Sequence, residues 1–194
     1  MEPVPRPTWT SPLVVGVHVR SFYLTLPEQP TRDVFQALRD DPKLLVFLER
    51  NQLGRLEFSG RLPSPDWLGF YEALSRNLAV NCFRSTDTYG MEFYPPELPS
   101  VSAAGKNSVQ AMHRSLYHEL GHHILERLPA RVLDDIAAVR RSRQAAPVST
   151  RARQSPLEYF SETFAAYRFE DSLADKDPAG YHMIEGILGL AWNR

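Results

Sequence analysis

The sequence predicts an α+β domain, a small twisted sheet laid over one central helix and followed by a helical C-terminal half. Three observations lead there. β-Branched and aromatic residues gather in short runs within the first 95 positions, as in Val14, Val15, Val17, Val19, Phe22 and Tyr23. From residue 107 the pattern becomes helical, with Met112, Leu116, Leu120, Ile124 and Leu128 recurring at every fourth position. Pro129 then stops that helix, and the runs 130–143, 157–170 and 179–192 read as further helices.

A chain of 194 residues accommodates one domain with a sizeable core. Its 22 Lys and Arg nearly balance 23 Asp and Glu, so net charge gives no pull toward nucleic acid or an anionic membrane. The single cysteine, Cys82, has no internal disulfide partner, which suits a reducing compartment. The opening residues lack a basic start followed by an apolar stretch, and no apolar run approaches a membrane span. A cytoplasmic location without a signal peptide is the expectation. Nothing in the pattern specifies an oligomeric state.

Residues 1–12, with four prolines, are expected to form a flexible arm, and 13–194 a single domain divided at 128 into a strand-and-helix part and a helical part. Residues 13–26 read as strand, with His18 in it as a structural histidine. Helices are expected at 31–40 behind a Thr31 cap and at 43–52 after an interruption at Pro42, and a short strand at 55–59. The runs 67–72 and 77–83 read as a hairpin joined by 73–76. The helical spacing of Ala73, Leu74 and Leu78 is the competing reading. A further strand is expected at 89–94. Residues 140–154, rich in Arg, Ser, Gln and Ala, read as a mobile basic loop. In the last helix Ile184, Ile187, Leu188 and Leu190 are expected to pack.

The central helix carries His118-Glu119-Leu120-Gly121-His122. Positions i and i+4 lie one turn apart on one helix face, so both imidazoles can point at one ion. Glu119 lies beside that ion, placed to take a proton from an attacking water. Asn107 and Gln110 have a capping spacing at the helix start. Gly121, costly by up to about 1 kcal/mol inside a helix, makes sense where another segment packs closely. His123 is rotated by about 100° from His122 and, like His113, is expected off the ligand face.

A catalytic zinc uses three protein ligands and an open position. The best candidate for the third is Glu158, and Glu162, four residues on, can support a ligand histidine from the same helix face. Ser155-x-x-Glu158 is also a capping-box spacing, and in that reading Glu158 reaches back to the Ser155 backbone instead.

Taken together, HExxH at 118–122 and Glu158-Tyr-Phe-Ser-Glu162-Thr-Phe-Ala-Ala resemble the gluzincin metallopeptidases. More narrowly they resemble the anthrax lethal factor-like peptidases, which include Pro-Pro endopeptidases. Phe164-Ala165-Ala166 is also similar to the ImmA/IrrE-type peptidases. The likeness is one of motifs, over roughly residues 67–170. It implies a zincin-like metallopeptidase domain with zinc on His118, His122 and Glu158, Glu119 as base and Glu162 supporting a ligand. Lethal factor-like enzymes carry an oxyanion-steadying tyrosine seven residues before the third ligand, where this chain has Arg151. Arg151 can supply similar electrostatics, and His182 is a second candidate donor. The expected function is therefore zinc-dependent endopeptidase acting on a peptide or protein substrate, which would pair with an edge strand near the hairpin or 89–94. The alternative is a non-catalytic, metal-stabilised protein-binding module.

Overall fold

The computed structural model describes residues 9–14, 17–21, 36, 38, 40–59, 69–81, 108–142 and 144–192. The sheet begins earlier than expected. β1 (Trp9–Val14) pairs antiparallel with β2 (Val17–Ser21), so part of the arm predicted over 1–12 is strand, and the strand predicted over 13–26 is shared between two. Pro12 is tolerated because β1 is the outermost strand among the described residues and its register shifts between Pro12 and Val14. β3 (Arg55–Ser59) lies parallel to β2, as predicted in its bounds. β4 (Gly69–Glu72) and β5 (Asn77–Asn81) form the predicted hairpin. The five strands run in the order β1-β2-β3-β5-β4, which leaves β4 at the other edge among the described residues.

Alternation along these strands sets the inner face. Leu56 pairs with Leu78, and Gly69 with Val80; Leu56, Leu78 and Val80 are fully buried. In the hairpin turn Leu74 is 99% exposed while Leu78 is fully buried, which excludes the helical reading of that stretch. Arg76 adopts the left-handed region (φ 57°) and closes the turn.

Pro42 starts a helix rather than interrupting one. In α1 (Pro42–Arg50) it occupies the first turn, where a missing N–H costs nothing, and Asp41 caps it by accepting from Leu44 N at 3.1 Å. Gln36 and Leu38, within the helix expected at 31–40, are helical. Thr31, Asn107 and the strand expected at 89–94 lie outside the described residues, as does the side chain of His18.

α2 (Ser108–Leu125) carries the HExxH run, with Leu116, Leu120 and Ile124 fully buried along one stripe. It packs on β4 and β5 and, most extensively, against α4 (Pro156–Phe169). Burial of each such leucine stabilises by about 1.5–3 kcal/mol. α3 (Arg131–Arg141), α5 (Leu173–Lys176) and α6 (Pro178–Trp192) complete the helical half. In α6, Ile184, Ile187 and Leu188 pack inward as expected, but Leu190 is half exposed and Ala191 takes the inner position. No helix among the described residues is long and apolar enough to cross a membrane.

The stretch predicted as a mobile basic loop is built into the fold. A 3-10 turn, Arg151–Arg153, holds fully buried Ala152, whose N–H donates to Ser149 Oγ at 3.0 Å. Ala146 N donates to Asp177 Oδ1 (3.1 Å), and Arg140 Nη1 to the Arg153 carbonyl (2.8 Å). Asp177 is itself fully buried and accepts from Tyr159 Oη at 2.8 Å and Gly180 N at 3.0 Å. Composition alone hides this, because the partners include Arg140 on α3 and Asp177, just before α6.

α2 and α4 approach each other closely. A Cβ on Gly121 would lie 2.9 Å from Ser161 Cα, so the glycine predicted to face a closely packed segment meets the helix that carries Glu158 and Glu162. Gly→Ala inside a helix ordinarily gains up to about 1 kcal/mol. Here Gly121→Ala should instead destabilise, by about 1–3 kcal/mol from overpacking. Urea unfolding of parent and variant gives the sign, and a stabilised variant would show that the helices are further apart.

Candidate metal centre

α2 and α4 cross so that residues from two turns of each meet. His118 Nε2 and His122 Nε2 stand 3.2 Å apart. Glu158 Oε2 is 3.3 Å from the first, and Oε1 is 3.7 Å from the second. Ligand atoms about 2.0–2.1 Å from a tetrahedral zinc stand roughly 3.3 Å from one another. The two imidazole nitrogens therefore stand at a zinc-sized spacing, and each has one oxygen of the Glu158 carboxylate at a similar distance. His118, Glu119 and His122 also offer ligand atoms that all lie within 4.8 Å of one another. The donor set, two imidazoles and a carboxylate, suits zinc.

The two readings of Ser155-x-x-Glu158 are resolved by different atoms of one residue. Ser155 Oγ accepts from Glu158 N at 3.1 Å, so the serine caps α4. The Glu158 carboxylate does not turn back to the Ser155 backbone but points to the histidines and to Arg151, whose Nε donates to Oε2 at 2.7 Å. Glu162 is a buried carboxylate with Oε1 2.9 Å from His118 Nδ1, on the ring edge away from His122.

Electrostatics here favour positive charge on His118 and oppose it on His122. Burial opposes a charged His118, yet Glu158 and Glu162 outweigh it and push its pKa up to about 9. Burial, reinforced by neighbouring His118, pushes His122 down to about 4. Burial would raise Glu158, but His118 and Arg151 hold it down to about 2. For Glu162, too, burial is outweighed, by His118, Arg114 and Ser149, and its carboxyl lies below the usual range. Glu119 is raised to about 7, first by burial and then by Glu158 and Glu162, against His118 and Arg151. A carboxyl near neutrality is suited to accept and return a proton.

A cleft of about 320 Å³ opens on these groups. Gly69, Tyr71 and Ala73 line it from the β4 side, Glu119, His122 and Glu126 from α2, and Arg151, Leu157 and Glu158 from the segment around the start of α4. Gly69 is required by Glu119: a Cβ there would lie 2.7 Å from Glu119 Cγ. Arg151 thus joins the site. His182 does not; it is 76% exposed on α6, with Nδ1 3.6 Å from Glu185. His123 is fully buried and structural. Its Nε2–H donates to the Asn51 carbonyl (2.6 Å), leaving Nδ1 to face the Tyr71 hydroxyl at 2.9 Å. The side chain of His113 lies outside the described residues.

Sequence reasoning did not find Tyr71, Glu126 or Arg114. Tyr71 Oη donates to Glu126 Oε2 at 2.6 Å and ties the edge strand to α2. Its signal was present: Tyr71 shares a strand face with Gly69, and Glu126 follows His122 by one turn. Neither protein-family models nor curated proteins compared with the chain give a match.

Cap and carboxylate should separate on mutation. Ser155→Ala is expected to cost about 1 kcal/mol of stability and to leave zinc affinity nearly unchanged. Glu158→Gln should leave the cap intact and weaken zinc strongly, as chelator competition would register. Full zinc occupancy in Glu158→Gln would return the residue to a capping role alone.

Proposed function

We propose that this chain is a zinc-dependent endopeptidase on a zincin-like domain of the gluzincin type. His118, His122 and Glu158 would hold the metal. The observation that carries the reading is the triangle of His118 Nε2, His122 Nε2 and the Glu158 carboxylate, with edges of 3.2, 3.3 and 3.7 Å, open to a cleft that also holds Glu119. When bound, zinc supplies a Lewis acid that makes water nucleophilic near neutral pH.

The remaining chemistry belongs to the chain. Glu119 takes the proton of the attacking water and returns it to the leaving amine. Its burial and its closeness to Gly69 confine the carboxylate to the cleft wall. Arg151, half exposed at the cleft and anchored on Glu158, places positive charge where an oxyanion develops, in the position that a tyrosine takes in the lethal factor-like enzymes. Glu162 orients the His118 ring through Nδ1. β4 borders the cleft as an edge strand, so an extended peptide can add to it by backbone hydrogen bonds. A strand-like substrate crossing the cleft from one side to the other favours cleavage within a chain.

The test is a matched pair, parent and Glu119→Gln, each measured for zinc content and for cleavage of a peptide library. Both should carry one zinc. Turnover should fall by about 10²–10⁴-fold in the variant, with substrate binding kept. Equal cleavage by the two would remove Glu119 from the mechanism. A zinc-loaded parent that cleaves nothing, yet binds a partner equally well with Glu or Gln at 119, would instead identify a binding module.

A further inference from the structure

Arg114 lies on α2 one turn before His118 and is only 7% exposed. Its Nη1 donates to Glu170 Oε1 at 2.8 Å. Its Nη2 stands 3.6 Å from Glu162 Oε2, while the other oxygen of Glu162 is 2.9 Å from His118 Nδ1. Glu170, the residue that ends α4, is also 3.6 Å from Lys176 Nζ. A line of alternating charge thus runs inward from the surface, from Lys176 through Glu170, Arg114 and Glu162 to His118.

We infer that Arg114 is a positioning residue for His118, acting through Glu162. The inference rests on the zinc reading above. A buried guanidinium without partners costs several kcal/mol, so its two carboxylates fix where it lies. The fork offers two nitrogens in one plane; Nη1 hydrogen-bonds Glu170, and Nη2 faces Glu162 as an ion pair at 3.6 Å, beyond hydrogen-bond reach. With one oxygen drawn to Arg114, Glu162 has a single oxygen left to face Nδ1, and that choice sets its torsions. The ring is thereby held from its Nδ1 edge, with Nε2 directed at His122 and Glu158. Without Arg114, Glu162 would keep only Ser149 beside the histidine to tell its two oxygens apart. A guanidinium that merely pinned α2 to α4 would stabilise the fold but would not act through Glu162.

A double-mutant cycle on zinc affinity distinguishes these roles. Zinc dissociation constants come from chelator competition on the full chain, alongside thermal unfolding of the metal-free forms. Glu162→Gln should weaken zinc by about 10–100-fold, the usual loss for a residue supporting a ligand. Arg114→Met should weaken it by about 10-fold in the parent and add nothing in the Glu162→Gln background. Arg114→Lys, which keeps charge but loses the fork, should show a smaller loss with the same dependence on Glu162. If the methionine variant does not fold, the lysine pair decides. Losses that multiply, or affinity unchanged by either Arg114 substitution, overturn the inference while leaving the zinc site intact. A folded parent that binds no zinc overturns the zinc reading and this inference with it.

Discussion

The contact on which the site depends is the packing of α2 against α4 at Gly121 and Ser161. His118 and His122 flank Gly121 in sequence, and Glu158 and Glu162 flank Ser161. Bringing those two small residues together leaves each pair of polar side chains facing the other across the helix interface. A larger residue at either point would push the helices apart, and the 3.2–3.7 Å spacings would open with them. The interaction is a steric one, an absent Cβ, yet it sets the electrostatic geometry.

That packing requires α4 to be buried on every side, which is unusual for a helix with Glu162, Ser161 and Thr163 in its middle. Ser161 Oγ is buried without a hydrogen-bond partner among the described residues, and the other polar groups are handled one by one. Thr163 Oγ1 donates to the Tyr159 carbonyl at 2.6 Å, Tyr159 Oη to Asp177, and Glu162 faces both His118 and Arg114. Both glutamates that meet the histidines also meet an arginine, Arg151 for Glu158 and Arg114 for Glu162. Removing one partner of the buried Arg114–Glu162 pair costs about 3–5 kcal/mol, while the half-exposed Arg151 is screened by solvent, so fold stability and site geometry draw on the same contacts.

Local signals made much of this legible. The HExxH spacing, the apolar stripe of α2, the bounds of β3 and the hairpin all follow from period, caps and turn residues. Glu158 and Glu162 were legible because four-residue spacing puts both on one face. What failed to show depends on partners distant in sequence. Residues 144–154 read as a free loop because their composition is polar, and the carboxylate that ties Ala146 down comes from Asp177. Arg114 carried no local signal, since Glu170 lies 56 positions away. Pro42 read as an interruption, although Asp41 before it makes the pair a helix start. His182 offered only a residue type, and the exposed face of α6 takes it away from the cleft.

The hairpin explains why a strand pair precedes the helix. β4 runs alongside α2, with Gly69 level with Glu119 and Tyr71 reaching Glu126 two turns further on. Tyr71 fixes that alignment, because its hydroxyl donates to Glu126 and its ring lies against His123, whose own ring is held by the Asn51 carbonyl. A chain that paired with β4 would be guided across the histidines at a height set by this anchor. Gly69 then does two things at one position. It leaves room for the Glu119 carboxylate, and it keeps the strand backbone close enough to the cleft for that carboxylate and a paired chain to meet. β4 and the Glu119 carboxylate are in this way positioned by a single missing side chain, as the two helices that carry the histidines and the glutamates are positioned by another.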